Sequence, residues 1–178
     1  MAFAQKVEWE ITSGCNLHCA HCNASTGGDD LGHEQLLELA RQLGELHPET
    51  VSLTGGEPTL HPLLPQIARV LSEAGVRVQI ITNGTTLTAS LIEELVESGV
   101  SMVWVSLDGP GPEHDALRGE VGVFERALDG IRQLKRRRVP FGILTTLVEA
   151  NRSRYKDLSP LVRKLRPLYW YVWLATPT

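Results

Sequence analysis

Short apolar runs alternate with amphipathic, helix-like patterns along nearly the whole chain. A period of two, or a short apolar run bounded by turn residues, predicts strands over residues 7–12, 51–54, 77–82, 102–107, 141–148 and 168–174. Apolar residues recur at helical spacing over residues 33–47, 62–75, 88–98, 123–138 and 151–166. Repeated strand-helix units imply parallel strands joined by right-handed crossovers. The chain is therefore predicted to be an α/β protein whose helices cover a parallel sheet.

Proline, glycine and threonine mark several expected helix ends. Pro62 and Gly75 are expected near the start and the stop of the second helix, and Thr88 is expected to cap the third. Pro160 predicts a break or a new first turn inside the last helical segment. Residues 109–121 are predicted to form a longer connection.

All three cysteines of the chain, Cys15, Cys19 and Cys22, fall in one group with the spacing C-x3-C-x2-C after the first predicted strand. Three thiolates from one short loop can bind three irons of a 4Fe-4S cluster and leave the fourth iron without a protein ligand. That open iron is where chemistry can take place. The spacing therefore favours an iron-sulfur site.

Other uses of the thiols stay open at this point. A structural zinc site needs four ligands, and His18 or His21 could be the fourth, although both lie so close to the thiols that the chelate would be strained. A disulfide framework is disfavoured because the number of cysteines is odd and nothing resembles a signal peptide. Zinc binding and unliganded thiols remain the alternatives.

Composition sets looser bounds on function. With 178 residues, of which 42% are hydrophobic and 21% charged, the chain can bury one substantial core. A net charge of −4 and a pI near 5.9 argue against a broad nucleic-acid surface or binding to an anionic membrane. No apolar stretch approaches the roughly 20 residues of a membrane span. Unpaired thiols without an export signal predict a reducing, cytoplasmic location.

A second motif follows the second predicted strand. Gly55, Gly56, Glu57 and Pro58 come directly after the apolar run 51–54, so that a strand ends in a glycine turn with exposed backbone N–H and C=O groups. The combination of this GGEP motif with the cysteine motif resembles the radical S-adenosylmethionine (radical SAM) superfamily. The pair is far more selective than either motif alone.

Further strand-end motifs extend the resemblance over the whole chain: TNG at 82–84, SLDG at 106–109 and HDALRG at 114–119. The last two resemble the subgroup that carries a SPASM or twitch extension, which includes peptide maturases and cofactor-biosynthesis enzymes. The resemblance implies a partial (β/α)6 TIM-like barrel with its site at the carboxyl ends of the strands. Residues 1–178 are then expected to form one core domain that ends after strand six, without the final helix or any extension.

The resemblance also implies a function. Cys15, Cys19 and Cys22 would bind a 4Fe-4S cluster whose open iron chelates S-adenosylmethionine. Reductive cleavage would give a 5′-deoxyadenosyl radical that abstracts hydrogen from a peptide or a cofactor precursor, with flavodoxin or ferredoxin as reductant. The alternatives are a nucleotide-directed enzyme similar to the molybdopterin-pathway cyclase and a non-catalytic iron-sulfur or zinc module. The GGEP motif, Ser106 and Arg118 argue against the non-catalytic module, which has no need to bind methionine.

Five of the cofactor-binding residues implied by the resemblance lie near the first two strands. His21 stands before the third cysteine, where the family often has an aromatic residue beside the adenine. Gly55, Gly56 and Glu57 would offer acceptors to the methionine ammonium, and Thr54 would face the ribose. A plain strand-to-loop turn is the simpler interpretation of the glycines.

The other five lie at the ends of later strands. Ser106 and Asp108 suit contacts with the ribose and the methionine carboxylate. Arg118 would pair with that carboxylate, for which a guanidinium fork is well shaped; a role in a turn is the alternative. Asn83 would line the site. Leu147 would pack on the adenine, with a core position as the alternative.

Aromatic residues are concentrated in the last predicted strand. Alternation along this strand places Trp170 on the face opposite Tyr169 and Tyr171. Some of these rings are expected to pack in the core or to cover the place of the absent final helix, and one could border the substrate cavity.

Overall fold

A computed structural model describes residues 6–22, 24 and 31–175. In these residues, six parallel strands form one sheet whose spatial order follows the chain order. The strands are β1 (Lys6–Glu10), β2 (Thr50–Thr54), β3 (Arg77–Thr82), β4 (Val100–Ser106), β5 (Phe141–Leu147) and β6 (Tyr169–Leu174). The predicted α/β class and the parallel sheet are confirmed. The outer limits of the predicted domain, residues 1 and 178, lie outside the described residues.

Helices connect the strands and cover one face of the sheet. They are α1 (His33–Glu45), α2 (Leu64–Glu73), α3 (Ala89–Glu97), α4 (Gly111–Arg118), α5 (Val123–Arg136) and α6 (Ser159–Leu165), with short 3-10 helices at Pro58–Leu60 and Tyr155–Leu158. The Thr88 hydroxyl caps α3, as predicted, by accepting from the Leu91 N–H. Pro160 lies in the first turn of α6, as predicted. The second helix begins at Leu64 rather than at Pro62, and Pro65 occupies its first turn.

The segment 109–121 contains a helix, α4, that the sequence predicted only as a connection. The helix is eight residues long, and its buried residues are His114, Leu117 and Arg118. Two of these three side chains are polar, so an apolar stripe at helical spacing is missing. The helix is therefore invisible to a search for hydrophobic periodicity.

The core lies between the convex face of the sheet and the helices. Side chains alternate along each strand, so that Val51 and Leu53 of β2 and Val78 and Ile80 of β3 point into this layer and are fully buried. The apolar stripes of α2 and α5 pack on them as part of the same cluster. This packing fixes the carboxyl ends of the strands at one edge of the molecule.

The opposite, concave face of the sheet encloses a cavity. β1 and β6 stand at the two ends of the strand order, yet Glu8 and Glu10 of β1 line the same cavity of about 430 Å³ as Trp173 and Leu174 of β6. A flat sheet of this order would keep these strands far apart. The sheet is therefore curled into the partial barrel that the sequence predicted.

Alternation in β6 places its rings as predicted. Trp170 packs against the core and donates from Nε1 to the Thr145 hydroxyl at 2.9 Å. Tyr169 and Tyr171 lie on the concave face, where their ring centroids are 6.0 Å and 5.1 Å from that of Trp104. In the described part of the chain, no helix combines the length and the apolar character that crossing a membrane requires.

Candidate functional site

The loop that follows β1 brings the three thiols to one small pocket. Cys15, Cys19 and Cys22 are free thiols, and together with Leu17 and Gly56 they line a cavity of about 340 Å³. The backbone N–H of Leu17 points at the Cys15 sulfur, at 3.4 Å. This pocket adjoins the larger cavity inside the barrel, since the three cysteines line both.

The donor set fits a group that is larger than one ion. Zinc ligands converge on one point, at about 2.0–2.3 Å from the metal, and among the residues that the structure describes no three His, Cys, Asp or Glu side chains do so. A 4Fe-4S cluster binds each thiolate through a different iron, so its ligands are spread around a cavity. Burial raises the pKa of the Cys15 and Cys19 thiols, which lose their protons when they bind a metal group.

The two glycines of the GGEP motif let β2 approach the cysteine loop at backbone distance. Gly56 donates its N–H to the carbonyl of Thr12, and Glu57 donates its N–H to the carbonyl of Gly14, both at 2.8 Å. A Cβ on Gly55 would lie 2.3 Å from the Thr12 oxygen, and one on Gly56 would lie 2.4 Å from the Gly14 oxygen. Both positions therefore exclude a side chain, and the motif supports the loop directly.

The Glu57 side chain forms hydrogen bonds that connect the end of β2 with the end of β3. Its carboxylate is fully buried and accepts from the Thr59 N–H, the Thr82 hydroxyl and the Asn83 N–H at 3.1, 2.6 and 2.7 Å. The Thr59 hydroxyl donates to it as well. Burial raises the pKa of this carboxyl group, and the hydrogen bonds oppose the rise. The side chain is thus occupied within the protein, whereas the backbone of the turn lines the cavity.

Asn83 connects the turn after β3 with the cysteine loop. Its Nδ2 donates to the Asn16 Oδ1 at 2.9 Å, and Asn16 in turn donates to the Thr85 hydroxyl at 3.0 Å. Asn16 lies between the first two cysteines and was not singled out from the sequence, where a single asparagine carries no recognisable signal. The loop is therefore fastened by a side chain as well as by the backbone of the glycine turn.

Asp108 is buried behind the cavity rather than exposed in it. Its side chain has no exposed surface. Oδ2 accepts from Arg118 Nε at 2.8 Å and lies 2.6 Å from Arg118 Nη2, while Oδ1 accepts from the Thr146 N–H at 2.8 Å. Both carboxylate oxygens are thus occupied by protein donors, whereas the sequence assigned them to the cofactor.

The guanidinium of Arg118 reaches from Asp108 to the thiols. Nη1, the nitrogen that does not face Asp108, lies 3.8 Å from the Cys19 sulfur. Only 11% of the Arg118 side chain is exposed, and this edge lines the cavity. A positive charge therefore stands beside one of the predicted cluster ligands.

Two histidines contact Asp108, one at its carboxylate and one at its backbone N–H. His21 Nε2 lies 3.6 Å from Asp108 Oδ2, and burial lowers the pKa of His21 although Asp108 opposes this. His114 Nδ1 accepts from the Asp108 N–H at 3.1 Å, and burial lowers the pKa of His114 to about 4. Nδ1 of His21 and Nε2 of His114 are buried and have no hydrogen-bond partner within the described residues.

The rest of the HDALRG motif fits α4 against its neighbours. The carbonyl of Leu117 accepts from the Ala20 N–H at 2.9 Å. Gly119 ends the helix with φ = 78°, and a Cβ there would lie 2.5 Å from the His18 carbonyl oxygen. Asp115 accepts from two N–H groups at the start of α5. The motif thus contacts the second half of the cysteine loop, at His18 and Ala20, whereas the glycine turn contacts its start, at Thr12 and Gly14.

Most of the predicted site residues line the barrel cavity. These are Cys15, Cys19, His21, Cys22, Thr54, Gly55, Gly56, Glu57, Asn83, Ser106 and Arg118. Asp108 lies behind them, and Leu147 is not among the lining residues, because Leu144 and Thr146 hold the cavity-facing positions of β5.

Trp173, one of the rings of the last strand that could border a cavity, also lines the barrel cavity. Other lining residues were not predicted: Glu8, Glu10, Ile81, Thr82, Leu144 and Thr146. Most of them occupy alternate positions of their strands. Extending the alternation from Thr54 and Ser106 to the other predicted strands would have found all of these except Thr82, which directly follows Ile81 at the end of β3.

Known proteins share both the sequence and the fold of this chain. It is 36% identical over 177 residues to an AdoMet-dependent heme synthase of Methanosarcina barkeri, covering 97% of this chain and 51% of that one. It is 30% identical over 152 residues to the sporulation killing factor maturation protein SkfB of Bacillus subtilis, covering 84% of this chain and 37% of SkfB. The chain spans about half the length of the heme synthases that it matches.

The fold agrees with a solved structure as well. The crystal structure of Streptococcus suis SuiB bound to S-adenosylmethionine matches with a TM-score of 0.84 at 17% identity, over 99% of this chain and 42% of SuiB. The relatives fit the predicted subgroup of peptide maturases and cofactor-biosynthesis enzymes. Because the family model of the Radical SAM superfamily also matches residues 9–158, the chain belongs to the radical SAM superfamily.

Proposed function

We propose that this chain is the catalytic core of an enzyme that uses a 4Fe-4S cluster to cleave S-adenosylmethionine reductively and abstracts hydrogen from a peptide or a cofactor precursor. The observation that carries the proposal is the convergence of three free thiols on a pocket that adjoins the barrel cavity. The cluster would supply the electron that cleaves the sulfonium, and a flavodoxin or ferredoxin would supply that electron to the cluster.

The residues around the cavity would hold and orient the cofactor. Cys15, Cys19 and Cys22 would bind three irons. The backbone of Gly55 and Gly56 would accept from the methionine ammonium, since no side chain blocks it there. These positions lie at the carboxyl ends of parallel strands, where ligands of barrel folds bind.

The other end of the cavity would receive the substrate. A second cavity of about 450 Å³ continues along the concave face and is lined by Trp104, Tyr169 and Tyr171. Trp173 borders both cavities. A wall of aromatic rings supports a substrate that presents an apolar or planar group. The relatives named after heme synthesis and peptide maturation support a cofactor precursor or a peptide.

Anaerobic reconstitution with iron and sulfide tests the proposal. We expect one 4Fe-4S cluster per chain, S-adenosylmethionine binding by calorimetry, and 5′-deoxyadenosine formation under dithionite. Cys19→Ala should abolish all three, whereas His18→Ala, an exposed residue of the same loop, should retain the cluster. Stoichiometric zinc without iron, or a cluster that survives replacement of all three cysteines, would show that the proposal is wrong.

A further inference from the structure

The Arg118 guanidinium has two different partners in this fold. Nε and Nη2 form a fork on one carboxylate oxygen of Asp108, at 2.8 and 2.6 Å. Nη1 is directed away from that oxygen and lies 3.8 Å from the Cys19 sulfur, within reach of an N–H···S hydrogen bond. One side chain therefore connects the end of β4 with a thiol of the cysteine loop.

We propose that Arg118 positions the cluster-binding loop and raises the reduction potential of the cluster by donating an N–H···S hydrogen bond to the Cys19 thiolate. This inference rests on the proposed function in one respect only, namely that Cys19 binds an iron-sulfur cluster. It is separate from contact between Arg118 and S-adenosylmethionine, because it acts on the cluster before any cofactor is bound.

The direction of the effect follows from charge. Reduction adds one negative charge to the cluster, and hydrogen bonds to its sulfur ligands stabilise the reduced form and raise its potential. Little water competes for this contact, since 11% of the Arg118 side chain is exposed. Loss of the donor should therefore make the cluster harder to reduce.

Asp108 makes the contact specific by fixing the orientation of the guanidinium. The carboxylate is fully buried and is itself held by the Thr146 N–H. Lysine at position 118 would keep the charge, but its single ammonium lacks the planar fork that serves Asp108 and Cys19 together. The charge alone is therefore not a substitute for arginine.

The test measures the midpoint potential of the reconstituted cluster without S-adenosylmethionine, by redox titration followed by electron paramagnetic resonance. Wild type is compared with Arg118→Gln, Arg118→Lys and Arg154→Gln. Arg154 is a matched control because it also pairs with a carboxylate of α4, Glu113, while its side chain is 56% exposed and the contacts described for it do not include a thiol.

We expect a more negative midpoint in Arg118→Gln than in wild type, an intermediate value in Arg118→Lys, and the wild-type value in Arg154→Gln. A folded Arg118→Gln protein that no longer retains the cluster, beside an Arg154→Gln protein that does, also supports the positioning role. If Arg118→Gln does not fold, the midpoint potential of Arg118→Lys relative to wild type decides whether the inference holds.

Equal cluster content and equal midpoints in wild type and both Arg118 variants would overturn the inference, even if these variants bind S-adenosylmethionine weakly. Wild-type protein that takes up no cluster would instead overturn the proposed function. The two failures are therefore distinguishable.

Discussion

A single buried carboxylate organises the polar side of the site. Asp108 is contacted through its side chain by Arg118 and Thr146 and through its backbone N–H by His114. Its carbonyl accepts from the side chain of Asn151 at 2.7 Å. His114 and Arg118 come from α4, Thr146 comes from β5 and Asn151 from the turn after it, so the position of Asp108 depends on two separate parts of the chain.

His114 must be neutral to accept the hydrogen bond from the Asp108 N–H. Protonation of His114 at low pH should therefore destabilise the folded chain. The folded pKa is lowered from 6.5 to about 4 by burial, so the unfolded chain binds a proton more readily between these values. The stabilisation is complete above pH 6.5 and is lost as the pH falls toward 4. Between pH 7 and pH 5 the free energy of unfolding should drop by about 2 kcal/mol through this group.

Urea unfolding of the reduced, cluster-free chain at both pH values measures the drop. In His114→Gln the contribution of this group is absent, while the other histidines still titrate, so the pH dependence should be smaller than in wild type by that amount. An equal pH dependence in both proteins would mean that folding does not lower the pKa of His114.

At the scale of elements, α4 and the glycine turn hold the cysteine loop from two sides. Gly119 and Gly75 form a matched pair for testing the first side, since their φ angles are 78° and 81°. A Cβ on Gly119 would meet the His18 oxygen at 2.5 Å, whereas one on Gly75 would meet nothing within 4 Å. Alanine at either position costs roughly 1–2 kcal/mol for the left-handed backbone angle.

Gly119→Ala should lower the free energy of unfolding by roughly a further 1–3 kcal/mol, because the clash pushes the loop away from α4. Its reconstituted cluster content should also be lower than that of Gly75→Ala. Thermal unfolding and iron analysis of the two variants measure both effects. Equal cluster content in the two would show that α4 does not position the loop.

Glu57 supports the second side by joining the ends of β2 and β3. The Glu57 carboxylate accepts hydrogen bonds from four donors. In Glu57→Gln the side-chain N–H₂ would face one of these donors. This unsatisfied contact should lower the free energy of unfolding by about 1–3 kcal/mol. Glu93→Gln is the control at an exposed ion pair with Arg137 and should change it by about 0–1 kcal/mol. If Glu57→Gln is as stable as wild type but binds S-adenosylmethionine poorly, the side chain acts on the cofactor directly.

The sequence predicts elements better than it predicts contacts between them. Alternation, Thr88 and Pro160 located strands and helix ends because these signals act over a few residues. α4 escaped because its buried face is largely polar. The Asp108–Arg118 pair escaped because carboxylates and guanidinium groups occur throughout the sequence, and only the fold selects which of them meet.

At the scale of the whole molecule, the strands differ in burial and in the number of neighbouring strands with which they pair. In β3, Val78 and Ile80 are fully buried and the strand has a hydrogen-bonded neighbour on each side. In β6, Val172 is 39% and Leu174 79% exposed. Buried, doubly paired strands open only with the global unfolding of a domain, whereas exposed ones open locally.

Hydrogen exchange followed by mass spectrometry should therefore show slow exchange for peptides from β3 and fast exchange for peptides from β6 of this chain. The rate in β3 should follow the global free energy of unfolding when urea is added, and the rate in β6 should not. Equal protection of both strands would mean that β6 is held as firmly as the centre of the sheet.

The contacts between α4 and the cysteine loop determine when during synthesis the protein can receive the proposed cluster. The partners that close the loop from the α4 side stand about a hundred positions later in the chain, with Cys19 and Arg118 separated by 99 residues. On the ribosome, the thiols emerge long before these partners are made. A nascent chain that ends before α4 would present its three cysteines on a loop held from one side at most. We therefore expect delivery of the proposed cluster to follow the synthesis of α4, and nascent chains that stop short of Gly119 to be poor acceptors of iron and sulfide.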